Sequence, residues 1–208
     1  MPRRSILLFA GACLAIAAAV IVTTLVLVNR PAADAPRAGA VISSGRADIG
    51  GPFQLVDQNG RAVDQTLLDG KWSLVFFGFT WCPDFCPTTL QALEATKQRL
   101  GDQAKDLQIV FITVDPNRDT PQAMKDYLST DGFPEGVIGL TGTPAQVKAA
   151  ADAYKAFYEQ VGTGEDYTVN HSLTVYLMGP DGQFRTAIAG ELGPQRSAEV
   201  IGRAMARG

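Results

Sequence analysis

The sequence predicts an α/β fold with a mixed central sheet, and three observations lead to this prediction. The runs at residues 73–79 (SLVFFGF) and 107–114 (LQIVFITV) are almost wholly apolar and too short for buried helices, so they predict central strands. Segments with the apolar spacing of a helix face lie between these runs and after them. The turn sequence at 180–182 (PDG) separates two later predicted strands, which indicates an antiparallel pair.

The first elements predicted are a β-hairpin, a buried strand and a helix. Residues 53–57 alternate, and the turn pair Asn59-Gly60 connects them to a second short strand at 61–63. The strand at 73–79 follows. A helix is predicted from Pro87, and its buried face carries Leu90, Leu93, Lys97 and Leu100.

The later helices are predicted from their entry signals. The Thr-Pro pairs at 120–121 and 143–144 each place a capping residue before a proline at the first helical position. A closing helix begins at Pro194. The apolar stripes of these three helices are Met124, Tyr127 and Leu128, then Val147, Ala150, Ala151, Tyr154 and Phe157, and finally Val200, Ile201, Ala204 and Met205.

The last strands complete the predicted topology. Residues 172–178 and 184–189 form the antiparallel pair on either side of the turn. The order is then β-hairpin, β, α, β, α, α, β, β, α. Parallel crossovers followed by an antiparallel pair are typical of a thioredoxin-like fold, which we predict for residues 48–208.

The composition excludes several classes of protein. The chain has 208 residues, a formal net charge of -3, 46% apolar residues and 19% charged residues. It is too apolar for a disordered chain, and its acidic balance argues against nucleic-acid binding. Its three cysteines, Cys13, Cys82 and Cys86, are too few for a disulfide-stapled scaffold. With His171 as the only histidine, mechanisms that need two histidines in one chain are excluded.

The N-terminal part predicts one transmembrane helix. The uncharged run at 6–28 is bounded by Arg4 and Arg30 and is long enough to cross a hydrocarbon core of about 30 Å. It is also longer than the apolar core of a cleavable signal peptide. Residues 1–5 are predicted to be a cytoplasmic leader, and residues 29–47, rich in Ala, Gly, Arg and Pro, a flexible tether.

Charge and leader length predict where the domain lies. Residues 1–47 carry a net charge of +4 and residues 48–208 a net charge of -7, so the two parts face different surroundings. So short a leader is typical of a signal anchor with a cytoplasmic N-terminus. We expect a single-pass protein of the bacterial cytoplasmic (inner) membrane with its soluble domain in the periplasm, where disulfides are permitted.

The sequence at 79–89 (FTWCPDFCPTT) predicts a reactive dithiol. It follows a central strand, at the sheet edge where open α/β sheets place their sites. Cys82 and Cys86 each precede a proline, which disfavours helical geometry at both, so we expect a loop with Cys86 as the helix N-cap. There the helix dipole and free N–H groups would lower its pKa. Such a dithiol suits disulfide exchange or a soft metal ion, and Trp81 could shield it from water.

His171 is the second signal, at the start of the predicted strand 172–178. Near the cysteine loop it would complete a set of two thiolates and one imidazole, which suits Cu(I), with Zn(II) as a second candidate. The sequence DPNRDTP at 115–121 follows the next strand. We interpret it as a turn with Arg118 and Asp119 as a surface pair; the alternative is that Asp115 orients the ligands.

Six short motifs extend over nearly the whole soluble domain. In chain order they are GGPF (50–53), CPDFCPTTL (82–90), DPNRDTP (115–121), IGLTGT (138–143), DYTVNHS (166–172) and YLMGPDG (176–182). Together they resemble the Sco/SenC family of membrane-anchored copper proteins. The resemblance implies a thioredoxin fold and copper, as Cu(I) or Cu(II), bound by Cys82, Cys86 and His171.

The resemblance also implies a function and a partner. It implies a copper metallochaperone that delivers copper to, or reduces cysteines in, the CuA site of cytochrome c oxidase subunit II. Other copper chaperones and thioredoxin-like reductants are further candidate partners. Two positions depart from the family pattern: Asn170 stands where many relatives have Asp, and Trp81 where a histidine or another residue often precedes the first cysteine. Neither departure changes the three ligands.

Two enzymatic hypotheses remain open beside the metallochaperone. A metal-independent thiol–disulfide oxidoreductase would use Cys82 or Cys86 to attack a partner's disulfide, but it gives His171 no function. A thiol peroxidase would use Thr80 and Arg118, but it does not require the second cysteine. We rank the metallochaperone first and the peroxidase last.

Overall fold

The computed structural model describes residues 48–164 and 166–208. The strands are β1 Gln54–Asp57, β2 Ala62–Asp64, β3 Trp72–Gly78, β4 Leu107–Thr113, β5 Ile138–Thr141, β6 Tyr158–Val161, β7 Thr168–His171, β8 Thr174–Met178 and β9 Phe184–Ala189. The helices are α1 Phe85–Leu100, α2 Pro121–Leu128, α3 Pro144–Tyr154 and α4 Pro194–Met205, with short 3-10 helices at Gln65–Leu68 and Gly101–Asp106.

The predicted leader, membrane helix and tether, residues 1–47, lie outside the described residues. Over 48–164 and 166–208, no helix combines the length and apolarity that a membrane span requires. The predicted boundaries of these N-terminal segments stay predictions.

Seven strands form one mixed sheet in the order β2-β1-β5-β4-β3-β8-β9. Strand β4 is parallel to both β3 and β5, whereas β8 is antiparallel to β3 and β1 is antiparallel to β5. The predicted α/β class with a mixed central sheet is confirmed, and the arrangement is consistent with the thioredoxin-like type. Strands β6 and β7 pair with each other in a separate two-stranded sheet.

The two apolar runs of the sequence form β3 and β4, at the centre of the hydrophobic core. Strand β3 is buried along its whole length, and β4 is buried at every position except Gln108. Strands that are covered on both faces have this nearly continuous apolar sequence. Helix α1 packs against α4, α2 against β5, and α3 against β1.

The sheet brings distant parts of the chain to one edge. The carboxyl ends of the parallel strands β3 and β4 lie at the same edge. Because β8 is antiparallel to β3, the amino end of β8 lies there as well. The loop after β3 carries both cysteines, and β7, which ends at His171, comes just before β8. The topology therefore explains how residues so far apart in sequence can meet.

Helix α1 begins earlier than the sequence predicts. It starts at Phe85 rather than Pro87, and its N-cap residue is Asp84 rather than Cys86. Pro87 is tolerated as the third helical residue, because the first N–H groups of a helix have no intrahelical partner that proline could remove. Cys86 therefore lies inside the first turn, and the prediction that it caps the helix was wrong.

Four strands and one helix end also differ from the prediction. Strand β5 and the β6–β7 hairpin were not predicted, and the strand expected from residue 172 begins at Thr174. Helix α3 ends at Tyr154, because Lys155 adopts a left-handed conformation with φ of 55°. Phe157 therefore lies beyond the helix and is exposed instead of continuing its apolar stripe.

Candidate metal centre

Cys82 and Cys86 are free thiols at the junction of the β3 loop and helix α1. The exposed fraction is 8% for Cys82 and 0% for Cys86. The backbone N–H of Cys82 donates to the Phe79 carbonyl at 3.3 Å, which turns the chain back over the strand end. The backbone N–H of Cys86 donates to the Cys82 Sγ, also at 3.3 Å. The two thiols therefore belong to one compact hydrogen-bonded turn.

His171 ends strand β7 and turns its ring toward this pair. Its Nδ1 lies 3.1 Å from the Ser172 carbonyl oxygen, and because a carbonyl only accepts, Nδ1 carries the proton of the neutral ring. Nε2 is then left with its lone pair and lies 3.5 Å from the Cys86 Sγ. Phe79 and Phe76 pack edge-on against the imidazole, with ring centroids 5.8 Å and 6.2 Å away. These contacts fix both the tautomer and the orientation of the ring.

The three predicted ligands converge. The Sγ atoms of Cys82 and Cys86 and one ring nitrogen of His171 all lie within 4.8 Å of one another. Two thiolate ligands of one ion, each about 2.3 Å from it, can be at most about 4.6 Å apart, so the group has nearly the dimensions of a single metal site. Two sulfurs and one imidazole favour a soft ion over Mg²⁺ or Ca²⁺. The structure thus brings the three residues together, and their role as ligands stays a prediction.

The two thiols differ in acidity, in the opposite sense to the prediction. A hydrogen bond from the Cys86 thiol is the main cause that lowers the pKa of Cys82 to about 4, and the Cys86 backbone N–H adds to it. The pKa of Cys86 is raised, because its thiol proton is held by Cys82 and because the residue is buried. The helix terminus therefore acts on the Cys82 sulfur, and Cys82 is the thiolate of the pair.

The two aspartates of the segment after β4 are buried, so Asp119 is not part of a surface pair. Asp115 and Asp119 are 3% and 0% exposed. The Asp119 carboxylate accepts hydrogen bonds from the Thr80 N–H at 3.0 Å, the Thr80 hydroxyl at 2.6 Å and the Thr113 hydroxyl at 2.5 Å. Burial raises the pKa of Asp119. Because Thr80 begins the cysteine loop, Asp119 fastens that loop to the end of β4.

Arg118 pairs with Asp115, not with Asp119. Its Nε donates to the Asp115 Oδ2 at 2.5 Å, and its Nη1 donates to the Tyr167 carbonyl at 3.0 Å. The predicted Arg118–Asp119 surface pair was therefore wrong. The peroxidase arrangement loses support as well, since the Thr80 hydroxyl is directed to Asp119 and Arg118 to Asp115 and Tyr167.

Sequence reasoning missed Tyr167 as a neighbour of the site, although it lies in the DYTVNHS motif. Its hydroxyl donates to the Asp115 Oδ1 at 2.5 Å. Asp119 was predicted only as half of a surface pair with Arg118. The signal that could have found its role is the position of two acidic residues directly after a buried parallel strand, where they reach the same sheet edge as the cysteines.

Large exposed apolar side chains surround the candidate site. Trp81 is 67% exposed beside Cys82, and Phe85 is 49% exposed beside Cys86. Phe157 is 59% exposed, and its carbonyl accepts a hydrogen bond from the N–H of Ser172, the residue after His171. Trp81 therefore borders the site instead of being buried over it. Each of the three predicted ligands thus has an exposed aromatic neighbour.

The fold and the site define a class of protein: an α/β domain with a mixed sheet that brings a dithiol and a histidine together at one sheet edge. A family model described as SCO1/SenC matches residues 42–206. The chain belongs to the SCO1/SenC family. Proteins of this family include copper-binding members, and the expected resemblance is confirmed.

Individual relatives support the same assignment. An SCO2-like protein of Rickettsia conorii is 39% identical over 170 residues, which cover 80% of this chain and 82% of that protein. Mitochondrial SCO2 of Saccharomyces cerevisiae is 41% identical over 161 residues, or 76% of this chain. The matched segment spans only 53% of the yeast protein, so the chain matches about half the length of that relative.

A solved structure agrees with the fold. ScoI of Bradyrhizobium japonicum, solved with copper bound, is 42% identical and matches with a TM-score of 0.67. The alignment covers 75% of this chain and 99% of the ScoI chain.

Proposed function

We propose that this chain binds copper through Cys82, Cys86 and His171 and carries it during the assembly of cytochrome c oxidase. The observation that carries this proposal is the convergence of two sulfurs and one imidazole nitrogen within 4.8 Å. Soft sulfur ligands with one imidazole suit copper, and three donors leave one side of the ion open. The copper-bound ScoI of B. japonicum, at 42% identity, supports the choice of metal.

We further propose delivery to the CuA site of cytochrome c oxidase subunit II. In this step the thiolates of the partner replace the donors of this chain one at a time, so the ion is never fully released. The exposed Trp81, Phe85 and Phe157 around the donors offer an apolar surface that a partner can cover during the exchange. Covering the site excludes water and other ligands.

A second function is supported by the unequal thiols. The Cys82 thiolate can attack a disulfide of the partner and form a mixed disulfide. The Cys86 thiol then loses its proton and attacks the Cys82 sulfur, which releases the partner as a dithiol and leaves a Cys82–Cys86 disulfide. Reduction of the CuA cysteines would prepare the partner for copper, so the two activities can act in succession on one client.

The decisive experiment is an anaerobic Cu(I) titration of the reduced full-length chain against a competing chelator. All samples carry Cys13→Ser, so that the remaining thiols are those of the candidate site. The Cys13→Ser protein should retain one copper per chain, and the added substitution His171→Ala should abolish tight retention. An added Asn170→Ala, next to the histidine but exposed, is the matched control and should keep the copper.

Equal retention with and without His171 would remove this residue from the site and leave the dithiol reductase as the better function. Failure to bind copper in either form would overturn the carrier hypothesis. Reductase activity is measured separately, as reduction of a disulfide-bonded CuA-domain fragment by the metal-free protein, with Cys82→Ser as the inactive control.

We also propose that residues 6–28 anchor the chain in the bacterial inner membrane, with residues 1–5 in the cytoplasm and the folded domain in the periplasm. The short leader before the apolar run, which is typical of a signal anchor, supports this orientation. Protease added to intact spheroplasts should digest the domain. Protection of the domain until the membrane is opened would reverse the orientation.

A further inference from the structure

His171 lies in a small two-stranded sheet whose strands do not pair with any strand of the main sheet. Among the described strands, β6 pairs with β7 alone, and His171 lies opposite Tyr158 in this pair. An isolated two-stranded hairpin is only marginally stable in water. Backbone contacts hold this sheet beyond the end of β7, where the Leu173 carbonyl accepts from the Gly190 N–H at 2.6 Å and β8 begins at Thr174. The rest of the hairpin depends on side-chain contacts with the domain, and these contacts influence the position of His171 relative to the cysteines.

The segment after β4 makes several contacts with one residue of this hairpin. The Tyr167 hydroxyl donates to the Asp115 Oδ1 at 2.5 Å. The Arg118 Nη1 donates to the Tyr167 carbonyl at 3.0 Å. The guanidinium carbon of Arg118 also lies 3.7 Å from the centroid of the Tyr167 ring, a close cation–π contact. Tyr167 is thus held by its hydroxyl, its ring and its backbone.

The Arg118 side chain is held by an ion pair with Asp115, and it also contacts the cysteine loop. Its Nε donates to the Asp115 Oδ2 at 2.5 Å, and both side chains are largely buried. Its guanidinium carbon lies 5.4 Å from the centroid of the Trp81 ring, next to Cys82. The same planar group therefore touches the cysteine loop through Trp81 and the histidine hairpin through Tyr167.

We propose that Asp115, Arg118 and Tyr167 are positioning residues that hold the β6–β7 hairpin against the cysteine loop and so set the distance from His171 to Cys86. Val169 also packs into the core, and the His171 ring packs on Phe79 at the start of the cysteine loop. The three residues add to this direct packing by holding the hairpin segment just before β7. The consequence for metal binding rests on the proposed function, because it requires His171 to be a ligand. The attachment of the hairpin can be tested without metal.

Two conservative variants separate the contacts, and both are made in the full-length chain. Arg118→Lys keeps the positive charge beside Asp115 but loses the planar group that stacks on Tyr167 and Trp81. Tyr167→Phe keeps the ring and loses only the hydroxyl bond to Asp115. Arg185→Lys is the matched control, because Arg185 pairs with Asp181 at 2.8 Å and lies 5.9 Å from the Trp72 ring, at the opposite end of β8.

The first readout is amide hydrogen exchange of the reduced, metal-free protein. In Arg118→Lys, the amides of β6 and β7 should exchange at least about tenfold faster, because a cation–π contact and a charge-assisted hydrogen bond are lost. Exchange in β3 and β4 should stay as in the wild type. Tyr167→Phe should give a smaller increase in the same strands, and Arg185→Lys none.

The second readout is Cu(I) affinity from chelator competition, with His171→Ala as the reference for a lost third ligand. The affinity of Arg118→Lys should fall toward that of His171→Ala, while Arg185→Lys keeps the wild-type affinity. Unchanged exchange in β6 and β7 would overturn the proposal, as would an equal increase in Arg185→Lys or faster exchange with wild-type affinity. If His171→Ala itself binds as the wild type does, the copper site fails, and the exchange data alone decide whether these residues attach the hairpin.

Discussion

The backbone N–H of Cys86 donates a hydrogen bond to the Sγ of Cys82 across the first turn of helix α1, at 3.3 Å. A helix N-terminus has N–H groups without intrahelical partners, and here one of them is directed at a neighbouring sulfur. The bond favours negative charge on Cys82, and it adds to the larger effect of the Cys86 thiol, which keeps its proton and donates it to the same sulfur. The two cysteines are therefore chemically distinct before any metal or partner arrives.

This difference predicts the pH dependence of alkylation in the reduced, metal-free protein. The pKa of Cys82 is lowered to about 4, so its thiolate fraction, and hence its rate with iodoacetamide, should be flat from pH 6 to 8 and fall as the pH approaches 4. An ordinary thiol with a pKa of about 8.5 gains close to tenfold per pH unit over much of this range. Peptide mapping by mass spectrometry measures the alkylation rate of each cysteine separately. A tenfold rise per unit at Cys82 would contradict the assignment.

Gly78→Ala should disturb the site from within the sheet. A β-carbon at Gly78 would lie 2.7 Å from the Cys86 Sγ and 2.7 Å from the Phe111 ring, so one of them must move. We expect a loss of about 1–3 kcal/mol in the free energy of unfolding, measured with urea, together with weaker Cu(I) binding. Gly193→Ala is the control, since nothing lies within 4 Å of its added β-carbon. Wild-type stability and affinity in Gly78→Ala would show that the packing there is looser than described.

Asp119 should matter for stability through its hydrogen bonds rather than its charge. Asp119→Ala leaves the Thr80 and Thr113 donors without their acceptor in a buried place, so we expect a loss on the order of 3 kcal/mol. Asp119→Asn keeps one acceptor oxygen, and its amide can donate to the Thr80 hydroxyl, so it should cost much less. Equal losses in the two variants would argue against this account. Chemical denaturation of both variants measures the difference.

The same carboxyl predicts a pH effect with a definite sign. Burial raises the pKa of Asp119 in the folded state, so folding favours its protonated form. Its stabilising contribution is fully present below the unfolded pKa of about 4 and is lost as the pH rises through the raised folded value. The stability of the wild type relative to Asp119→Asn should therefore fall as the pH rises above about 4. A constant or rising difference would be inconsistent with a raised pKa.

Thr143→Ala should weaken the entry to helix α3 without affecting the site. The Thr143 hydroxyl accepts from the Gln146 N–H at 3.3 Å, and the Gln146 side chain accepts from the Thr143 N–H at 2.8 Å, which completes a capping box. We expect a loss of about 1 kcal/mol and unchanged Cu(I) binding. Lys148→Ala, which breaks an exposed ion pair with Asp152 on the same helix, should change stability less than Thr143→Ala does.

The central strands could be predicted, and the peripheral ones could not. Strands β3 and β4 are covered on both faces, so their sequences are almost continuously apolar and need no context to be identified. Strand β5 is four residues long and contains Gly139, which weakens any local strand signal. Strands β6 and β7 are mostly exposed, and their polar sequences resemble loops until their pairing is known.

The members of the candidate site could be named from the sequence, but their roles depended on the fold. Cysteines and a histidine are chemically distinctive, and the topology needed to bring them together follows from the strand order. The acidity of Cys82 depends on the directions of the Cys86 thiol and N–H, which the spacing of the two cysteines does not determine. The contact of Arg118 with Tyr167 joins residues 49 positions apart, and no local pattern predicts such a pairing.

The separation of His171 from Cys86 along the chain, 85 positions, has a consequence for biogenesis. The two sulfurs come from one turn and meet as soon as helix α1 forms, whereas the imidazole arrives only after β7 has docked. A partly folded chain thus offers an ion at most two of the three donors of the proposed site. If His171 is a ligand as proposed, tight retention of the ion reports that the hairpin has docked, and local opening of the hairpin, without global unfolding, is sufficient to weaken it.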